Sequence, residues 1–100
     1  MTTLFAKKAY RVVKNIPKGK VSTYQAVARA IHKPRASRAV GHALKCNPYA
    51  PQVPCHRVIR SDGTVGGYAR GAKKKIEFLK QEGIIVIGKK IDLHVFGWRV

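Results

Sequence analysis

Prolines at positions 48, 51 and 54 stand three residues apart in the middle of a 100-residue chain. Proline lacks a backbone donor and fixes φ, so neither a helix nor a central strand can cross such a segment. The run NPYAPQVP therefore predicts a rigid loop with separate elements on either side. Upstream, LFAKKAYRVVKNI (residues 4–16) places Phe5, Ala9, Val12, Val13 and Ile16 on one face at helical spacing. Pro17 and Gly19 end that helix. In VSTYQAVARAIHK, Ser22 followed by Gln25 predicts a capping box. Tyr24, Val27, Ala28 and Ile31 then keep helical spacing until Lys33-Pro34, where the residue before proline is pushed out of helix. PRASRAVGHALKC predicts a further short helix whose Ala36, Ser37, Ala39, Gly41 and Ala43 are all small. Glycine inside a helix costs about 1 kcal/mol against alanine. The small face reads either as tight packing on a neighbouring helix or as a surface that must approach something closely. Two short helices joined by a tight link have the form of a helix-turn-helix.

Downstream of the prolines, VPCHRVIRSDGTVGGY predicts two short extended pieces about a turn at Ser61-Asp62-Gly63, with a second bend at Gly66-Gly67. GAKKKIEFLKQEG predicts a last helix, with Ile76 and Leu79 facing the core and Gly83 at the C-cap. The tail runs IIVI and then alternates through KKIDLHVFGW, which predicts a hairpin around Gly88-Lys89. The expected fold is mostly α with short β elements. It is a single helix-turn-helix, winged-helix-like DNA-binding domain over residues 1–100, with a C-terminal hairpin. One modest core is what this length permits, and a hydrophobic fraction of 45% fits a folded chain.

Lys and Arg number 21 against four acids, a net charge of +17. Solubility needs far less charge of one sign, so a polyanionic partner is expected, nucleic acid first. An anionic membrane surface fits less well, because no basic amphipathic helix with bulky aromatics is present. No apolar run is long enough to span a bilayer, and the N-terminus lacks a signal-peptide pattern. The expectation is a soluble monomer, cytoplasmic and DNA-associated, or nuclear in a eukaryote. Cys46 and Cys55 do not make a disulfide framework. His32, His42, His56 and His94 are scattered without metal spacing, so neither metal nor cofactor is expected.

Cys55 stands in VPCHRV, between Pro54 and His56, with Arg57 next. A thiol reacts as thiolate, which nearby positive charge and a base both favour. Side chains of adjacent strand residues point to opposite faces, so His56 can serve Cys55 only in an irregular backbone or through a water. A base also needs an orienting partner. Among the acids Asp62, Glu77, Glu82 and Asp92, Glu82 stands out: it ends a helix just before Gly83, where negative charge opposes the helix dipole. From the Cys-His pair alone, a small buried apolar residue explains Cys55 better than chemistry does.

PCHRV, with Asn47-Pro48 upstream, Tyr24 in VSTYQAVA, RAVGHAL, VGGY and a closing EG, resembles the methylated-DNA–protein-cysteine methyltransferases, the O6-alkylguanine-DNA alkyltransferases, from about Phe5 to Gly83. The resemblance implies that Cys55 accepts the alkyl group, that His56 is its base through a water, and that Glu82 orients the histidine. It implies Asn47 as the hinge asparagine bracing the loops, and Tyr24 as the tyrosine that presses on the phosphate and helps protonate the departing guanine. It implies Arg38 as the finger that fills the gap left by a flipped nucleotide. Val58, Tyr68 and Ala69 would form the guanine pocket, and Gln25, Ser61, Ala39 and Gly41 would join Tyr24 and Arg38 at the DNA. A base inside a duplex cannot present its six-position oxygen to a sulfur, so the nucleotide must be flipped out. The implied helix-turn-helix enters the minor groove, whose narrowness accounts for the small residues on the third helix. Repair in any sequence context favours backbone contacts over base readout. The sulfur would become a thioether, and the protein would be consumed in one turnover.

Three departures accompany the resemblance. The N-terminal domain usual in the family is not expected in this chain. Ala69 stands where many members have a serine. The tail 84–100 lies outside the resemblance. Two other functions compete with suicidal repair. One is a non-catalytic, alkyltransferase-like lesion sensor, although such sensors have tryptophan where this chain has Cys55. The other is a plain helix-turn-helix DNA-binding module.

Overall fold

A computed structural model describes residues 3–68 and 71–100. Thr3 begins the first helix, its hydroxyl accepting from the Ala6 amide at 3.0 Å, and α1 runs Leu4–Val13. Its buried face is Ala6, Ala9, Tyr10 and Val13, with Phe5 and Val12 only partly buried. β1 (Ser22–Thr23) leads directly into α2 (Tyr24–Ala30), and α3 follows at Ser37–Lys45. These three helices pack on one another around Val13, Val27, Ala28 and Val40, none of which keeps any exposed surface. Burying each valine contributes about 1.5–3 kcal/mol, and this cluster supports the helix-turn-helix.

The cap of α2 differs from the predicted box. Thr23, not Ser22, accepts from the helix, at 3.0 Å from the Ala26 amide. Ser22 is held in β1 instead, paired in parallel with Val58 of β2 (Val58–Ile59), and is almost wholly buried. The ladder thus fixes Ser22 in extended conformation and moves the helix start one residue on.

The proline loop carries a cis Ala50–Pro51 bond and leads into a single 3₁₀ turn, Cys55–Arg57, which passes straight into β2. The turn at Ser61-Asp62-Gly63 forms as predicted, closed by Arg60 N–H to Thr64 O at 2.9 Å. α4 (Ala72–Gln81) ends in a Schellman arrangement: Gly83, at φ 88°, donates to Lys80 O, and Ile84 donates to Leu79 O.

The tail corrects the hairpin reading in part. Gly88-Lys89 is a tight turn, with Ile87 and Lys90 exchanging both backbone bonds at 2.9 Å. The second arm does not continue as a strand. Asp92 accepts from the His94 amide and starts one helical turn, α5 (Leu93–Phe96), because Leu93 and Phe96 at i, i+3 both reach the second apolar cluster. That cluster joins Ile84 and Ile91 of the tail to Val21, Ile59, Val65 and Leu79. The tail is also sewn on through backbone bonds: Val21 donates to Phe96 O at 2.9 Å, Trp98 to Val21 O at 2.7 Å, and Ile91 to Gly63 O at 2.9 Å.

Candidate active site

Pro54 permits a tight turn rather than a strand at Cys55. Within the 3₁₀ turn Cys55 and His56 project into different spaces. Cys55, only 6% exposed, lines a cleft of about 360 Å³ with Tyr24 and Gln25 of α2, Ser37, Arg38 and Gly41 of α3, and Arg60, Ser61, Gly67 and Tyr68. His56, equally buried, lines a second cavity of about 270 Å³ with Lys18, Phe78 and Glu82. Tyr68 borders both.

His56 Nε2 lies 3.0 Å from Glu82 Oε2. A carboxylate only accepts, so Nε2 carries the hydrogen and Nδ1 keeps the lone pair a base requires. Burial holds the imidazole below its ordinary value, against the opposing pull of Glu82. It therefore rests neutral at pH 7. Glu82 is the C-cap of α4, the end of the helix that disfavours negative charge. Arg57 accounts for its being there. The guanidinium donates from Nε to Oε1 at 2.9 Å and from Nη2 to Oε2 at 2.7 Å, and from Nη1 to the carbonyl of Ile16 at 2.8 Å. Burial pushes the Glu82 carboxyl up, but the bonds from Arg57 and His56 outweigh it and hold the group below its usual range.

Asn47 braces the proline loop. Its Nδ2 donates to Val53 O, and its Oδ1 accepts from the Tyr49 amide, both at 2.8 Å. Tyr24 packs its ring against Gly41, where an added Cβ would sit at ordinary contact distance, 3.8 Å. Burial raises the Tyr24 phenol, so it keeps its proton at neutral pH.

Lys75 is not among the residues expected at the site. It is wholly buried, and its ammonium donates to Val58 O at 2.7 Å, to Gly67 O at 3.2 Å and to the Tyr24 hydroxyl at 3.2 Å. Burial lowers it to about 7. A signal existed: Lys75 precedes Ile76 and stands four residues before Leu79, on the inward side of the helix. Arg57, inside the same motif as Cys55, enters the sequence reading only as a neighbouring charge.

The remaining expected residues divide. Gln25, Arg38, Gly41, Ser61 and Tyr68 line the same cleft as Cys55. Ala39 lies instead on the other side of α3, with Tyr10, His42 and Cys46. Val58 is fully buried and presents its carbonyl to Lys75. Ala69 lies outside the described residues. Cys46 and Cys55 are both free thiols, Cys46 exposed.

Residues 4–84 match the family described as 6-O-methylguanine DNA methyltransferase, DNA binding domain. A methylated-DNA–protein-cysteine methyltransferase of Methanosarcina acetivorans is 48% identical over 81 residues, covering 81% of this chain and 52% of that protein. The chain spans about half the length, or less, of the curated relatives it matches. Atl1 of S. pombe, crystallised in complex with damaged DNA containing O6-carboxymethylguanine, superposes with a TM-score of 0.87 at 35% identity, covering 96% of this chain and 95% of that one. OGT of Mycobacterium tuberculosis, in complex with DNA, superposes with a TM-score of 0.79 at 39% identity, covering 82% of this chain and 51% of that one.

Proposed function

The chain belongs to the family of the 6-O-methylguanine DNA methyltransferase DNA-binding domain, and on that premise we propose that it repairs O6-alkylguanine in DNA by taking the alkyl group onto Cys55. The observation that carries the reading is the position of Cys55: a free thiol in a cleft between α2 and α3, backed by the His56–Glu82 pair. Arg38 and Tyr24 line the same cleft, which supports roles on a flipped nucleotide: Arg38 would fill the vacated stack and Tyr24 would stand beside the base. The excess of positive charge suits the phosphate backbone.

The step balances on these groups. The thiol proton passes through a water to His56 Nδ1, and Glu82 stabilises the imidazolium that forms. The thiolate attacks the alkyl carbon; the S–C bond forms as the C–O6 bond breaks. The departing guanine takes a proton from Tyr24. Because Lys75 donates to the Tyr24 oxygen, and the contact from that hydroxyl to Gly67 O is long at 3.5 Å, the phenol hydrogen is free to turn into the cleft. Amino-acid side chains do not reverse a thioether, so each molecule acts once.

A second reading has its own support. The likeness to Atl1 extends over nearly the whole chain, tail included, and is that of a lesion-binding protein. The cysteine at position 55 favours chemistry over sensing alone. Intact mass after mixing with a duplex holding one O6-methylguanine separates the two. Repair adds one methyl, mapped to Cys55, and Cys55→Ala binds the duplex without gaining mass. Binding by the wild-type protein with no mass change would leave the sensor reading. Transfer persisting in Cys55→Ala would remove the proposal.

A further inference from the structure

One carboxylate oxygen, Glu82 Oε2, meets both His56 Nε2 at 3.0 Å and Arg57 Nη2 at 2.7 Å. The other oxygen takes Arg57 Nε at 2.9 Å, so the guanidinium grips Glu82 with two parallel bonds. Its third bond, to Ile16 O, ties the same fork to the chain just after α1. All three side chains are largely buried, with exposures of 7% for His56, 16% for Arg57 and 11% for Glu82. A two-bonded Arg–carboxylate pair fixes direction as well as charge.

We infer that Arg57 is a positioning residue for the base: it aims the Glu82 carboxylate at His56 Nε2 and takes up most of its charge, which leaves His56 neutral with Nδ1 free to accept the Cys55 proton. This rests on the reading of His56 as that base. The charges around His56 support it. Facing the imidazole are Glu82 from the end of α4, Lys75 from its middle, Arg57 from the 3₁₀ turn, and Lys18 and Tyr68 across the second cavity. Glu82 is the one acid among these groups. With Arg57 in place, protonating His56 would set a second cation on a carboxylate already paired. Without Arg57, the full negative charge of Glu82 would act on the imidazole alone, and opposite charge at hydrogen-bond distance favours the protonated form.

The test is a titration of the His56 ring nitrogens by NMR on the unreacted protein, in Arg57→Gln, Arg57→Lys and the Glu82→Gln background. Arg57→Gln should shift the His56 midpoint upward, and the acid limb of the transfer rate should move to higher pH with it. Arg57→Lys, which keeps a charge but cannot grip both oxygens, should shift the midpoint upward by less. In Glu82→Gln, adding Arg57→Gln should produce no comparable rise. An equal rise in that background would mean that Arg57 acts only as a bystander charge, and would overturn the proposal. So would an unmoved or lowered midpoint in folded Arg57→Gln. Should Arg57→Gln fail to fold, an unmoved midpoint in Arg57→Lys decides against it. The midpoint is read without any alkyl transfer, so failure of the repair reading shows in the mass measurement and not here.

Discussion

Lys75 occupies a place on the inward face of α4 where a hydrocarbon would be the cheaper occupant. The ammonium is tolerated because Val58 O, Gly67 O and the Tyr24 hydroxyl accept from it. Burial nonetheless lowers it to about 7, against an ordinary value of 10.5. Between these two values the unfolded chain binds the proton and the folded one releases it, so stability rises with pH across that window. Below about pH 7 both states are protonated and the penalty for burying the charge levels off. Lys75→Met should flatten the rise, as read by urea denaturation at pH 7 and pH 9.5. At the higher pH the variant should be less stable by about 1–3 kcal/mol, because carbonyls that the amine satisfied are left bare. Parallel stability curves for the two proteins would show that Lys75 keeps its proton throughout. Glu82 and Arg57 teach the complementary lesson. The misfit of Glu82 with its helix dipole was legible from its place before Gly83, but the cation that relieves it, Arg57, stands 25 residues away in sequence.

Among the elements, the tail has the clearest structural role. Residues 84–100 complete the second apolar cluster and hold the Arg60–Thr64 turn, through Ile91 N–H to Gly63 O and Val65 N–H to Lys89 O. That turn carries Arg60 and Ser61 to the cleft. Gly63 is the tight point. It sits at φ 89°, and a Cβ there would lie 2.8 Å from the Ile91 carbonyl oxygen. Gly63→Ala should cost about 1–3 kcal/mol, measured by thermal unfolding. On the proposed function it should also weaken duplex binding more than reaction with a free alkylated guanine base, which has no phosphate backbone for Arg60 to meet. Equal losses in both assays would mean that the tail supports the core alone. The helix positions were legible because each apolar stripe keeps its period: Val27, Ala28 and Ile31 on α2, for example. The caps and the tail were harder. Whether Ser22 or Thr23 starts α2 depends on β2, which lies more than 30 residues away and pairs with Ser22. Whether KKIDLHVFGW forms a strand or a turn of helix depends on which surface it covers.

For the molecule as a whole, charge and shape act together. The outward face of α1 carries Lys7, Lys8 and Arg11, and Lys14 caps its end, all exposed, while its inward face packs toward α3. Positive charge is therefore not confined to the cleft, and on the proposed function it should draw DNA irrespective of sequence. Duplex affinity followed by fluorescence anisotropy should fall linearly on a log–log plot against salt, with a slope of about −0.9 per phosphate neutralised. A flat response would contradict electrostatic binding. The helical stripes, the break at the prolines, the excess of cations and the motif around Cys55 are written in the chain order, because periodicity, backbone restriction and residue chemistry act within a few positions. That Arg57 grips Glu82, that Lys75 is buried against Tyr24 and that the tail clasps the turn at Gly63 emerges from the folded packing. Each is a bond between groups distant in sequence, and its existence depends on how burial and backbone pairing bring the elements together.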